Sequence, residues 1–270
     1  TIDGATARDF DDAVHVEKNP KGFTLWVAIA DVSHYVRPGT ALDAEAYARG
    51  TSVYFPERAF HMLPQALSEG ACSLRPDVPR LAFAAKMEFD RQGQKHHTEL
   101  MLAVIQSRRR GIYEEIEQER DSFKDHFELY EILKAARSRR GSIDFELPES
   151  EIKVDDAGNP THIERRSRLD THRLIEEFMI AANEAVTEWA LKKKAEFLYR
   201  VHEEPSKDSL ADFETFAKTQ GLSFHLSKGP PKPKAIAGVV DILRGHRAHD
   251  LLQGALLRAM KKAVYSPKHD

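Results

Sequence analysis

Four aspartates, Asp3, Asp9, Asp11 and Asp12, fall within ten residues in TIDGATARDFDDAV at positions 1–14. Carboxylates this dense repel one another, and a divalent cation would relieve the repulsion. Hard Mg²⁺ takes oxygen ligands and commonly uses a few carboxylates together with waters and substrate phosphates. The pattern D-x-D-D at a loop-to-strand junction would aim neighbouring carboxylates into one pocket, with Asp3 closing it from the side. By composition alone, a solvated acidic loop fits the same residues equally well. Two sharper readings fail. A calcium loop starting at Asp9 would want a ligand at its fifth position and glycine at its sixth, where Ala13 and Val14 stand. A DxDx phosphatase would carry its aspartate at the end of an apolar strand, but Asp9 follows Thr6, Ala7 and Arg8.

Elements on either side must hold this loop. AVHV at 13–16 starts a strand, and KNPKG is a turn. FTLWVAIA at 23–30 reads as a buried strand ending at Asp31. ALDAEAYARG is a short helix closed by Gly50, and strand-like TSVYFP stops at Pro56. LAFAAKMEFD and the segment near 98–106 pair around the turn RQGQ. Helix is expected over 127–140, and strand over 143–165 around DDAGNP. The longest helix spans 171–194, with Asp170 as N-cap and Ile175, Phe178, Met179, Ala182, Val186 and Trp189 on one stripe. On it Glu177 falls on the polar side with Glu184 and Glu188, and Glu176 at the edge of the buried face. A helix follows at 210–221 capped by Gly221, then a Pro-rich linker KGPPKPK at 228–234, then a last helix at 250–264. Strands first and helices later favour an α+β fold, with a mixed or antiparallel sheet near the N-terminus and packed helices toward the C-terminus.

The chain has 270 residues, 41% hydrophobic and 31% charged, as in ordinary globular proteins. Its net charge of −3 requires any RNA contact to be made by local basic patches. Candidates are SRRRG at 107–111 and Arg139–Arg140, which also read as solvated faces. One cysteine, Cys72, excludes a disulfide framework and suits a reducing cytoplasm. No GxGxxG or GxxxxGK[ST] supports a nucleotide cofactor. No apolar run is long enough to span a membrane.

TIDGATARDFDDAV resembles the opening signature of the RNB catalytic domain of RNase II/RNB-family 3′→5′ exoribonucleases, closest to the bacterial ribonuclease R branch. The match continues through LWVAIADVSHYV, GTSVYFP, MLPQALSEGACSL, RLIEEFMIAANEAV and RVHEEPS, in order over nearly the whole chain. The resemblance implies Mg²⁺-dependent hydrolysis of single-stranded RNA, with one or two ions and nucleoside 5′-monophosphate products. Asp3 and Asp12 would be direct metal ligands, Asp9 a supporting carboxylate and Asp11 the one most critical to catalysis. One ion would activate water, and a second ion about 3.5–4 Å away, or a nearby cation, would stabilise the leaving oxygen. Tyr54 would stack on the 3′-terminal base and Phe145 would close the other end of the stacked nucleotides. Glu176 would contact a ribose. Read without the resemblance, Tyr54 and Phe145 are packing residues and Glu176 is a solvated helix glutamate. Arg200 and His202 match a motif near the channel without an assignable role.

The family continues into a segment like GHFGLA…Y.HFTSPIRRY, whose arginine stabilises charge at the phosphate. That segment, the N-terminal cold-shock-type domains and the C-terminal OB-type domain are expected to lie outside residues 1–270, making this an incomplete RNB domain. The stretch between Tyr113 and Phe127 is shorter than the family norm. A cytoplasmic, monomeric enzyme without organic cofactor is expected, inactive or weak in this piece alone. The alternative is a truncated RNB-type RNA-binding or regulatory module without activity of its own.

Overall fold

The computed structural model describes residues 1–268 apart from 57, 146, 156, 228, 230 and 231, so DDAGNP and KGPPKPK lie partly outside the described residues. Two compact units are present, Thr1–Lys134 with Ser150–Glu188, and Ala135–Glu149 with Trp189–Asp270.

The first unit opens with β1 (Ile2–Asp3), followed by β2 (Asp12–Asn19) and β3 (Gly22–Ala30). Asn19 makes the turn between the last two: its Oδ1 accepts from the N–H groups of Lys21 at 2.9 Å and Gly22 at 3.0 Å. Gly22 is required there, because a Cβ would stand 2.1 Å from the Phe89 carbonyl oxygen. Short helices α1 (Val32–Tyr35) and α2 (Ala41–Arg49) come next. The second is capped by Thr40 and closed by Gly50 at φ 73°, as its sequence implies. The short hairpin of β4 (Val53–Tyr54) and β5 (Ala59–Phe60) precedes a π-type turn at Ala66–Ala71. Long strands β6 (Pro79–Asp90) and β7 (Lys95–Gln106) pair around residues 91–94. β8 (Gly111–Ile112) then pairs parallel with β1.

The main sheet is antiparallel with strand order β2-β3-β6-β7. Its register puts Val16, Leu25 and Met87 in line on one face. Helices bury that face. They are α3 (Tyr113–Gln118), α4 (Lys124–Arg140) and, after the exposed hairpin of β9 (Ser150–Val154) and β10 (Pro160–Arg165), α5 (Asp170–Lys193). Ile116, Phe127, Tyr130, Leu174 and Phe178 join the sheet residues in one core. Each large side chain withdrawn from water there contributes roughly 1.5–3 kcal/mol.

The second unit holds β11 (Tyr199–Val201), α6 (Lys207–Thr219), α7 (Pro233–Leu243), α8 (His249–Ala259) and β12 (Val264–Ser266). Its core is formed by Leu210, Phe213, Ile236, Val240, Leu243 and Leu252, among others. Gly221 at φ 84° follows the end of α6 as expected.

The α+β class and its order of strands before helices are as read from the sequence. Details differ. The last helix ends at Ala259 and not 264, because Val264–Ser266 pairs antiparallel with Tyr199–Val201. Helix α7 was hidden by its Pro-rich approach, yet Pro233 suits a first helical turn, where no N–H partner is needed. The described residues among 143–149 are not strand. Asp170 is the first residue of α5 and not its cap, its carboxylate bonded to Arg120 at 2.6 Å. Trp189 is 45% exposed and off the buried stripe, which runs through Leu174, Phe178, Ala181 and Ala185.

Candidate active site

The acidic loop is held from both sides by its own neighbours. Ile2 is buried, and β1 is seated on β8. Gly111 permits that approach, since a Cβ would meet the Ile116 side chain at 2.8 Å. Arg110 Nη2 donates to the carbonyls of Gly4 at 3.2 Å and Ala5 at 2.5 Å. Phe10 is buried with Ala30, Cys72 and Leu74, so Asp9 and Asp11 flank an anchored residue. The Ala30 N–H donates to the Asp11 carbonyl at 2.9 Å, tying the loop to the end of β3.

Asp3, Asp9 and Asp12 are partly buried and Asp11 is exposed. Burial raises the Asp3 carboxyl above its usual range, with Asp9 adding to the shift. Burial raises Asp11 too, and the charges of Asp9 and Asp3 push the same way. Asp12 is pushed up to about 6, first by burial and then by Asp3, with Asp11 contributing. Asp3, Asp11 and Asp12 are thus each raised by burial and by a neighbouring carboxylate. Asp12 Oδ2 is buried without a hydrogen-bond partner. Among the described residues no three His, Cys, Asp or Glu side chains stand gathered as a finished metal site. The donors are nonetheless all carboxylate oxygens, one of them orphaned, which is the chemistry a hard divalent cation satisfies.

Tyr54 is 64% exposed, so its core-packing reading fails. Its hydroxyl donates to Asp9 Oδ2 at 3.0 Å, and its ring meets His61 edge-on at 6.3 Å. The sequence separates Tyr54 from Asp9 by 45 positions; the fold joins them. Glu176 sits on α5, bonded to Arg168 at 2.5 Å. Its neighbour Glu177, expected on the polar side, is buried at 4% exposure. Phe145 lies in the second unit, partly buried against that unit's core. Arg200 Cζ lies 5.8 Å from the Tyr265 ring centroid, and His202 is exposed.

Of the basic run at 107–111, Arg109 is paired with Glu119 at 2.8 Å and Arg110 serves the loop. Sequence reasoning passed over two features. Tyr113 opens α3, stacked on His172 with ring centroids 4.1 Å apart. Burial pushes its hydroxyl to about 12, helped by the charges of Asp3 and Asp12, and the helix it opens directly follows β8, the partner of β1. Its only signal was an aromatic ending the basic run. Arg165, Arg166 and Arg168 form a second basic run at the entry to α5. A cavity of about 570 Å³ opens on the sheet, lined by Ala13, Trp26, Ala28, Met101 and Ala103 among others. Its lining holds no carboxylate, though Ile2 and Ala13 in it adjoin Asp3 and Asp12.

Fold and site together define an α+β domain that presents a carboxylate-rich loop, backed by an exposed tyrosine, at the start of an antiparallel sheet. The RNB domain model matches residues 1–269, and the chain belongs to that family. It is 39% identical to ribonuclease R of Escherichia coli (strain K12) over 284 residues, covering 100% of this chain and 35% of that protein. It is 43% identical to ribonuclease R of Vibrio cholerae over 282 residues, covering 98% of this chain and 34% of that protein. Mycoplasma genitalium RNase R, solved in complex with ribose-methylated single-stranded RNA, superposes with a TM-score of 0.94 at 31% identity, covering 99% of this chain and 44% of that one. The chain thus spans about a third of the length of its curated relatives. Among the described residues no helix is long and apolar enough to cross a membrane.

Proposed function

We propose that this chain carries the carboxylate side of a Mg²⁺-dependent 3′→5′ exoribonuclease acting on single-stranded RNA and releasing nucleoside 5′-monophosphates. The observation that carries the reading is the Tyr54–Asp9 hydrogen bond, which ties an exposed aromatic to the acidic loop in a chain of the RNB family. The kinship with ribonuclease R, and the RNA-bound state of the Mycoplasma relative, support it.

Asp3 and Asp12 would hold the ion and Asp9 would support them. Bound there, the ion would supply Lewis-acid activation of the attacking water and charge stabilisation at the phosphate. Asp11, its carboxyl raised by burial and then by the charges of Asp9 and Asp3, would orient that water and accept its proton. Tyr54 offers a face on which any terminal base can stack, and so no sequence is preferred. Its bond to Asp9 registers the stacked nucleotide against the carboxylates. The Tyr113 hydroxyl stays protonated across the physiological range and can donate to an anionic oxygen beside Asp3 and Asp12. Glu176 would accept from a ribose hydroxyl, the group by which RNA is told from DNA.

The test is a 5′-labelled oligoribonucleotide incubated with and without Mg²⁺ with the full-length protein that carries this chain. Progressive shortening from the 3′ end, stopped by EDTA and yielding 5′-monophosphates, is expected. Shortening that persists in EDTA, or products bearing 3′-phosphates, would contradict the reading.

A further inference from the structure

We propose that Ser73 is a positioning residue for the acidic loop, holding the backbone on both sides of Asp9 and so setting how tightly the loop binds a divalent cation. The inference rests on the metal reading of the loop given above.

Ser73 is completely buried. A hydroxyl can donate and accept at once, and this one does both across Asp9. It donates to the Arg8 carbonyl at 2.7 Å and accepts from the Phe10 N–H at 3.1 Å. One residue on, the Leu74 N–H donates to the Phe10 carbonyl at 2.9 Å. Arg80 Nε holds the Ser73 carbonyl at 2.9 Å, so the clamp is itself anchored to β6. The partners lie 63–65 positions apart in sequence, so nothing local would impose this geometry. Asp9 is the residue between the two clamped peptides, and its carboxylate carries the bond from Tyr54. Without the hydroxyl, the segment from Arg8 to Phe10 loses its fixed orientation while Phe10 stays packed by its ring. Residues that orient ligands from behind commonly change metal affinity about 10–100-fold when replaced.

Mn²⁺ is the probe, with free ion followed by electron paramagnetic resonance and melting temperature measured on the same samples. Ser73→Ala removes the hydroxyl; Ser73→Cys keeps its size with a weak donor and serves if the alanine variant does not fold. Cys72→Ala is the control, a loss from the same small core that spares the clamp. Both Ser73 variants are expected to bind Mn²⁺ about tenfold or more weakly, with Cys72→Ala binding as the parent protein does. Ser73 variants that melt earlier yet bind Mn²⁺ normally would overturn the proposal, as would equal weakening in all three. Parent protein whose Mn²⁺ binding is absent, or indifferent to Asp12→Asn, would instead overturn the metal reading itself.

Discussion

At Tyr54 two properties of one side chain can be separated. The ring is exposed for stacking and the hydroxyl is bonded to Asp9. Tyr54→Ala should cost about 1–3 kcal/mol of RNA affinity. Tyr54→Phe should keep most of the affinity and lose turnover, because the face survives and the link to Asp9 does not. Equilibrium binding and single-turnover rates on a short oligoribonucleotide distinguish the two, and equal affinity loss in both variants would contradict the stacking role. Asp12 gives a pH signature. Its carboxyl titrates near 6 in the folded chain, against an ordinary value of about 3.9 when unfolded. The folded state therefore holds a proton that the unfolded state has released, and stability falls as pH rises from about 4 to 6. Without Mg²⁺, Asp12→Asn should melt above the parent at pH 7.5, with the gap closing toward pH 4. A gap independent of pH would show that Asp12 is not strained as described. The D-x-D-D spacing was legible from residue types alone. The bond to Tyr54 was not, because it is made by the fold across 45 positions.

At the scale of elements, helix α5 shows where pattern reading succeeds and where it stops. Its existence and length follow from the apolar spacing, and its core residues Ile175, Phe178 and Ala182 are buried as expected. Of its two adjacent glutamates, Glu176 is partly buried as an edge position implies, whereas Glu177 is buried and not on the polar side. Helical periodicity places Glu177 with Glu184 and Glu188, but the core extends far enough around α5 to enclose it. The Glu177 side chain sits inside while Glu176 is half-exposed beside Arg168. Glu177→Ala should therefore destabilise the first unit by about 1–3 kcal/mol. Glu176→Ala, which loses an exposed pair, should cost about 1 kcal/mol or less while weakening RNA over DNA selectivity. Chemical denaturation of both variants checks the ranking, and equal losses would refute it. Helix α7 escaped notice for a related reason: a Pro-rich run was read as a linker, whereas Pro233 starts the helix it precedes.

For the whole molecule, a net charge of −3 leaves RNA attraction to local basic groups. The run Arg165, Arg166 and Arg168 extends from the end of β10 to just before α5, the helix that carries Glu176. Arg166→Gln should weaken binding of a homopolymer evenly and reduce the salt slope by about 0.7, the value for one phosphate contact on a single strand. An unchanged slope would remove that run from the RNA path. The family and the order of its elements were readable because motifs recur along the entire chain. The division into two units was not, since Phe145 and Tyr54 look alike as sequence yet fall in different units. The central claim concerns Asp11, and its most direct measurement compares Asp11→Asn with the parent for both RNA binding and nucleotide release. Release is predicted to fall roughly a hundredfold or more with binding essentially unchanged; release at the parent rate would contradict the assignment.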